Sequence, residues 1–462
     1  MGDYSAYLTA KAMRDPMTGI ADVPALPDAM KDFQRDITRW ALRRGRAALF
    51  AGTGLGKSFM EMAWAQVVAA YTGKPVLMLT PLAVAQQFIE EEGPKFGIPL
   101  HRPADQAGLM PGINVTNYDK MDRFDFRSLG GIVLDESSIL KAVDGKTRCA
   151  LIEAAQPIAF RLAASATPAP NDYVELGNHA EFLGVMSHAE MLAMFFVHDG
   201  GDTQKWRLKG HAGTDFWKWM ASWAVNLNSP ADLGYDGSDY VLPPLHRHDH
   251  LVSVNHECGA NGLLFAAEAR TLQERIQARR ETIVDRVAKA AGLINGNDRQ
   301  WVAWCNLNDE SALLASSIKG AVELRGSDSE RAKETTIARF RAGEIRVLVS
   351  KPSILGWGLN FQFCRDTAFV GLNDSFEQVY QAVRRFWRFG QTQPVHAHFI
   401  AAETEGAVVR NLERKEADAA RMSAAMVAAM ADLSAANIAG VEREKAAYAP
   451  RTLALPKWLE AA

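Results

Sequence analysis

The sequence predicts an α/β protein of two parallel-sheet lobes with a helical, tryptophan-rich segment between them. Three observations carry this. The chain has 462 residues, too many for one ordinary hydrophobic core. Strand-length apolar runs alternate with helical stretches in two separate series, the pattern of parallel sheets with crossover helices. The stretch between the two series lacks that alternation and is rich in tryptophan.

The first series is AALFAG (47–52), VLMLTP (76–81), GIVLDE (131–136) and AFRLAASAT (159–167). The second is WVAWCNL (301–307), AVELRG (321–326), IRVLVS (345–350), TAFVGL (367–372) and HAHFIAA (396–402). These runs place an N-terminal extension at 1–25, a first lobe at 26–172 and a second lobe at 293–404. Residues 173–245 read as a helical insertion, with Trp206, Trp217, Trp219 and Trp223, ending in the glycine- and proline-bearing linker DGSDYVLPPL. Phe216, Met220 and Trp223 have helical spacing and are expected in a core. Residues 246–292 read as a strand followed by a helix dotted with Arg270, Arg275, Arg279, Arg280 and Arg286. Those arginines suit either a DNA groove or a solvated face paired with Glu274, Glu281 and Asp285. The tail, 405–462, begins as a helix rich in Ala, Glu and Arg.

Composition narrows the class. Hydrophobic content of 48% and charged content of 23% are those of a soluble globular protein. No apolar run approaches the ~20 residues that span a bilayer, and the opening residues lack the apolar stretch of a signal peptide. A cytoplasmic protein with no membrane partner is expected. Cys149, Cys258, Cys305 and Cys364 form no CxxC pair, which suits a reducing compartment. The formal net charge of -3 means that any nucleic-acid binding comes from a local basic groove. His246, His248 and His250 alternate, with His256 and Cys258 beyond them. No partner completes a metal set, and a half-exposed strand is the expectation.

The densest local signal is AGTGLGKS, 51–58. Gly52, Thr53, Gly54, Leu55 and Gly56 follow a strand and open a helix, so their amides can surround phosphate oxygens. Lys57 would reach the β- and γ-phosphates and Ser58 would ligate Mg²⁺. Ala51 stands where the usual pattern begins with glycine. About eighty residues on, Asp135 and Glu136 end the run GIVLDE. Ligands of open α/β sheets bind at such strand ends. Asp135 would hold Mg²⁺, and Glu136 would orient and deprotonate the attacking water.

With these motifs in view, the chain resembles superfamily 2 helicases, specifically Swi/Snf-type DNA translocases and the small versions found in phages and prophages. DFQRDITRW (32–40) is similar to the segment before the phosphate loop, where Gln34 would read the adenine edge. TP at 80–81 and TNYD at 116–119 match DNA-backbone motifs, which assigns DNA contacts to Thr80 and Asn117; Lys351 is a third candidate. DESS (135–138) is similar to the DEAH-type box, with Ser137 and Ser138 in place of Ala-His. SATPAPND (165–172) resembles the coupling motif, with Ser165 and Thr167 linking nucleotide state to lobe movement. LGWGLNFQ (355–362) resembles the glycine-rich motif of the second lobe, bringing Gly358 to ATP and Trp357 to nucleic acid. QAVRRFWRFGQ (381–391) is similar to QxxxRxxRxGQ, which brings Gln381, Arg385 and Arg388 to the nucleotide. If 381–391 is helical, Gln381, Arg385 and Arg388 share one face, opposite Val383, Phe386 and Trp387.

The resemblance implies two tandem RecA-like P-loop lobes, ATP and Mg²⁺ as cofactors, and duplex DNA bound through its phosphates. It implies a DNA-dependent ATPase that moves on DNA, with Arg385 and Arg388 as arginine fingers. A scaffold subunit of a phage replication, nuclease or defence complex is the second reading; Lys57, Glu136, Arg385 and Arg388 weigh against an inactive one. A nucleotide kinase would use the loop and leave 345–391 unexplained. The sequence names no phage or host protein partner.

Overall fold

The computed structural model describes residues 19–141, 145–199, 202–253, 277, 279–355, 360–372 and 375–439. Fifteen strands fall among them: β1 (Arg46–Ala51), β2 (Val76–Thr80), β3 (Leu100–His101), β4 (Ile113–Asn117), β5 (Gly131–Asp135), β6 (Phe160–Ser165), β7 (Phe196–Asp199), β8 (Asp202–Leu208), β9 (Ala224–Leu227), β10 (Leu245–Val252), β11 (Trp301–Cys305), β12 (Ala321–Glu323), β13 (Val347–Ser350), β14 (Asp366–Val370) and β15 (Val395–Ala402). The helices of eight or more residues are α1 (Asp32–Arg44), α2 (Lys57–Thr72), α3 (Lys146–Ala155), α4 (Leu176–Leu183), α5 (His188–Phe195), α6 (Gly213–Trp223), α7 (Ile283–Asn295), α8 (Asn308–Ser317), α9 (Glu330–Arg341), α10 (Phe376–Val383) and α11 (Gly406–Ile438).

The strands make two parallel sheets, in the orders β3-β4-β2-β5-β6-β1-β9 and β10-β15-β14-β11-β13-β12. Each has an apolar cluster on both faces, which is why its central strands read as unbroken apolar runs. Such sheets in tandem, the first opening on a glycine-rich strand–helix turn, are RecA-like lobes. The antiparallel β7–β8 hairpin stands apart.

Three features depart from the sequence expectations. The first lobe does not stop near 172: β9 pairs in parallel with β1 and completes its sheet. Phe216, Met220 and Trp223 of α6 are fully buried in that lobe's core, so much of the tryptophan-rich region is first-lobe structure. Secondly, β10 is the edge strand of the second sheet, in register with β15. His246, His248 and His250 face His396 and His398 there, with Nε2 of His248 and His250 each 3.0 Å from Nδ1 of a β15 histidine. The half-exposed strand is as expected; His256 and Cys258 lie outside the described residues. Thirdly, Arg279 and Arg286 are buried, whereas Arg280, Glu281 and Asp285 are exposed, as expected of a solvated face. Arg286 pairs with Glu310 and Glu405, and Arg279 donates to Leu372 O. Arg270, Arg275 and Glu274 lie outside the described residues.

The last helix joins the lobes. Val408 and Leu412 of α11 pack in a second-lobe cluster, whereas Met426 and Met430 pack in a first-lobe cluster. Ser423 accepts from Asn228 Nδ2 at 2.9 Å, and Asn437 donates to Ala221 O at 2.8 Å. At ~1.5 Å per residue the helix is about 50 Å long.

Candidate nucleotide site between the lobes

β1 delivers the chain to the phosphate loop at the C-terminal edge of the first sheet. Gly52 N–H is held by Leu227 O of β9 at 2.9 Å. Gly54 and Gly56 have φ of 92° and 81°, left-handed values that glycine adopts without a Cβ penalty. A Cβ on Gly54 would also come within 2.6 Å of Phe389 Cβ from the second lobe. The loop enters α2 at Lys57, so Lys57 and Ser58 occupy its first turn. Thr53 is half-buried and Leu55 buried. Lys57 Nζ folds back onto Ala51 O at 2.7 Å. Burial lowers its pKa, while Glu136, Glu61 and Asp135 oppose that shift.

Gln34 lies against this loop: its Nε2 donates to Leu55 O at 2.9 Å, and its Oε1 accepts from Lys31 N at 3.0 Å. Both ends of the amide are engaged within the chain, so Gln34 braces the loop in this conformation.

β5 ends at Asp135, whose carbonyl accepts from Tyr118 OH at 2.7 Å. Burial and the neighbouring Glu136 push the Asp135 carboxyl up to about 7, against Lys57 and Arg385. Glu136 has φ of 55°, the one positive φ at a non-glycine position among the described residues. A glutamate held in this region carries strain that the surroundings must overcome. The turn leaves Glu136 8% exposed with Oε2 unpartnered. Ser137, next along, hydrogen-bonds the buried His179 Nε2 at 3.1 Å. The Ala-His pair of the resembling box is thus answered here by a serine and a histidine from α4.

The second lobe contributes the opposite wall. The predicted helix over 381–391 stops early: α10 ends at Val383, and 384–390 run as turns. The cause is non-local. Arg385 O accepts from Phe361 N at 2.9 Å, and Gln391 Nε2 donates to Gln362 O, Cys364 O and Phe386 O. Gln381 and Arg385 still point into the cleft. Gln381 Nε2 donates to Thr167 Oγ1 of the first lobe at 3.2 Å, and its Oε1 accepts from Arg385 at 2.7 Å. Arg385 Nη2 lies 3.9 Å from Glu136 Oε1. Burial lowers the Arg385 pKa to about 10, with Glu136 the foremost opposing charge. Arg388 is half-buried, its Nε has no hydrogen-bond partner, and Glu92 and Glu136 support its charge. Arg384 points elsewhere, over the rings of Trp387 and Tyr380 at 4.4 and 5.1 Å. Ser165 Oγ accepts from Thr167 N at 3.0 Å, fixing the turn that meets Gln381.

The remaining sequence candidates separate. Thr80 and Asn117 are register partners at adjacent strand ends. Thr80 is fully buried and donates to Pro81 O at 3.1 Å, so it shapes the turn and has no surface to offer a phosphate. Asn117 is 4% exposed with Oδ1 unpartnered. Lys351 is half-buried just past the end of β13. Trp357 and Gly358 lie outside the described residues. Sequence reasoning missed Glu61, Tyr118 and His179. For Glu61 a signal existed: one carboxylate inside the apolar helix FMEMAWA, where burial is costly without a purpose. A cavity of about 500 Å³ also lies between the lobes; Gly52, Thr53 and Thr167 line it, but Lys57, Asp135, Glu136 and Arg385 do not.

Among the described residues no group of three His, Cys, Asp or Glu is gathered to hold a metal ion directly, so the donor chemistry here suits a hydrated Mg²⁺ bound through few protein oxygens. Ser58 and Asp135 offer hard oxygens, and both Glu61 oxygens and Glu136 Oε2 are buried acceptors without donors. Among the described residues no helix is long and apolar enough to cross a membrane.

The helicase conserved C-terminal domain family matches residues 285–390, which run from α7 through Arg385 and Arg388. No curated protein matches the chain. Among solved structures, the SWI2/SNF2 ATPase core of Sulfolobus solfataricus in complex with dsDNA aligns at 16% identity and a TM-score of 0.41. That alignment covers 82% of this chain and 89% of that one.

Proposed function

We propose that the protein hydrolyses ATP between its lobes and uses the cycle to move on duplex DNA, as a translocase or helicase of the Swi/Snf-like type. The observation that carries this reading is the cross-lobe pair: Arg385 beside Glu136, with Gln381 on Thr167. A second lobe that only scaffolded would have no use for a buried arginine set beside the first lobe's acidic strand end.

The roles follow from position. The amides of 52–56 cradle the phosphates, and Lys57 leaves Ala51 O to meet them. Ser58 and Asp135 hold Mg²⁺, which when bound neutralises charge on the β- and γ-oxygens. Glu136 orients a water and takes its proton as the water oxygen bonds to the γ-phosphorus and the bond to the β-bridging oxygen breaks. Arg385 and Arg388 stabilise charge on the transferring phosphoryl group, so turnover requires the lobes to be together. Release of that group removes what Arg385 grips, and the Gln381–Thr167 contact passes the change between lobes. Lys351, just past the end of β13, is the proposed DNA-backbone contact; Asn117, 4% exposed, is as closed to a phosphate as Thr80.

The test is phosphate release with single-stranded DNA, duplex DNA, RNA or no nucleic acid, beside displacement of a triplex strand. Duplex stimulation that weakens with salt, together with triplex displacement, is expected. Equal turnover with and without nucleic acid would refute the motor reading.

A further inference from the structure

Glu61 is a buried acidic residue beside the nucleotide site that the mechanism above does not use. It is fully buried, and neither carboxylate oxygen has a hydrogen-bond partner. Its direction follows from α2. Lys57, Glu61, Trp64 and Val68 fall within about 60° of one another on a helix of ~100° per residue. The far end of that stripe is fixed against β5: a Cβ on Gly131 would come within 2.8 Å of Val68 Cγ1. The helix and β5 run in opposite senses here, so moving back to Glu61 and Lys57 moves forward along β5 to Asp135. The electrostatic neighbours agree, since Asp135, Lys57 and Glu136 all act on Glu61.

A carboxylate placed beside other carboxylates, away from solvent and without a donor, is costly to keep. Burial, with Asp135 and Glu136 adding to it and Lys57 opposing, pushes the Glu61 carboxyl well above the usual carboxylate range; a cation nearby, or water that a cation orients, is what would let it stay ionised. Ser58, three residues before Glu61, and Asp135 are the residues assigned to such a cation.

We propose that Glu61 is a positioning residue for the divalent cation, accepting hydrogen bonds from water in that cation's coordination shell on the helix side of Asp135. The inference rests on the ATPase reading and deepens it: Glu61 sets how tightly the nucleotide site holds Mg²⁺, while the phosphate loop sets how tightly it holds the phosphates. Outer-shell partners of bound metals typically change metal affinity about 10–100-fold when removed.

The experiment titrates Mg²⁺ into the full chain with a fluorescent ATP analogue, and repeats nucleotide binding in EDTA. Wild type, Glu61→Gln and Glu61→Met are compared, with thermal unfolding in EDTA alongside. Both variants should need about tenfold more Mg²⁺ for half of the gain in nucleotide affinity. Their affinity in EDTA should stay within about twofold of wild type. Glu61→Met should unfold no lower than wild type, since it removes a buried carboxyl and fills the same space. Unchanged Mg²⁺ midpoints in both variants, with wild type binding normally, would overturn the role of Glu61 alone. Loss of the fold in both would show a structural carboxyl and overturn it too. Wild type without any Mg²⁺-dependent nucleotide binding would overturn the ATPase reading, and this inference with it.

Discussion

The two lobes share one architecture, and one buried charge in each is treated in the opposite way. In the second lobe, Arg286 is fully buried and closed off by Glu310 and Glu405 of the same lobe. In the first, Glu61 and one oxygen of Glu136 are buried and left open. The second lobe sends a cation outward instead: Arg385, held by Gln381, approaches Glu136 across the cleft. The contrast belongs to these two sites and not to whole lobes: Asp366 and Glu377 of the second lobe also bury oxygens without hydrogen-bond partners, and Arg161 of the first is satisfied by Ile158 O, Phe182 O and Gln156 O. The site is complete only when one lobe's surplus meets the other's deficit.

The comparison breaks most severely at the cleft. Arg385→Ala should lower turnover at saturating ATP and DNA by ~10³-fold or more, the scale of an arginine finger. DNA affinity without nucleotide should be nearly unchanged, and Arg385→Lys should rescue poorly, lacking the planar fork. Glu136→Gln should keep ATP binding and lose turnover, whereas Lys57→Ala should lose both. Loss of DNA binding in Arg385→Ala, with normal turnover per bound complex, would place that arginine on nucleic acid.

The closed charge of the second lobe predicts a stability effect. Arg286→Ala strands two buried carboxylates and should cost about 3–5 kcal/mol. Urea unfolding followed by tryptophan fluorescence measures it; a cost below about 1 kcal/mol would mean that the pair is solvated in solution.

A smaller effect is expected at Gly54. Alanine there must accept a left-handed φ, costing about 1–2 kcal/mol, and must also displace Phe389. Gly54→Ala should weaken ATP binding, and adding Phe389→Ala should recover little of the loss, since alanine keeps the Cβ, N and Cα atoms that the new methyl meets. A large recovery would show that the Phe389 ring, and not its backbone and Cβ, crowds the loop.

Acid should weaken both lobes through different histidines. Burial holds His179 of the first lobe at about 4. In the second lobe, burial with His248, His250, His396 and Arg299 nearby holds His398 at about 4. Both lie below the unfolded value of ~6.5, so the unfolded chain binds protons that the fold refuses. Their contribution is therefore fully present above pH ~6.5 and is lost progressively as pH falls toward 4. Urea midpoints at several pH values should show that slope, and His398→Gln should flatten it; an unchanged slope would assign the loss to other groups.

The smallest change belongs to Arg384. Its guanidinium sits over Tyr380 and Trp387, so Arg384→Ala should cost about 0.5–1 kcal/mol of stability and leave turnover within about twofold. A turnover loss like that of Arg385→Ala would put Arg384 on the phosphate.

What was legible in the sequence was local. The phosphate loop and the Asp135–Glu136 strand end are runs of consecutive residues whose chemistry is set by their own backbone, and two series of apolar runs suffice for two parallel sheets. What was not legible depends on partners far along the chain. The helix through 381–391 fails because Phe361 takes the Arg385 carbonyl. The four residues of β9 carry no signal of their own and become a strand because β1 offers an edge. Arg286 reads as a surface arginine until Glu310 and Glu405 close around it. Thr80 matches a DNA-contact motif, yet its position inside the sheet buries it.

The long last helix has a mechanical consequence. The chain already crosses once between the lobes, from β9 to β10, where Tyr235 OH bonds Asp36 of the first lobe at 2.8 Å and Trp387 of the second donates to Pro243 O at 2.6 Å. α11 makes a second crossing, anchored at both ends. Two bodies joined at one point can swivel in any direction; joined at two, they keep a single easy rotation about the line through the joints. With the ion pairs Lys141–Glu377 and Arg102–Glu334 across the cleft released, these two joints would leave the lobes a door's freedom, one arc about a fixed line.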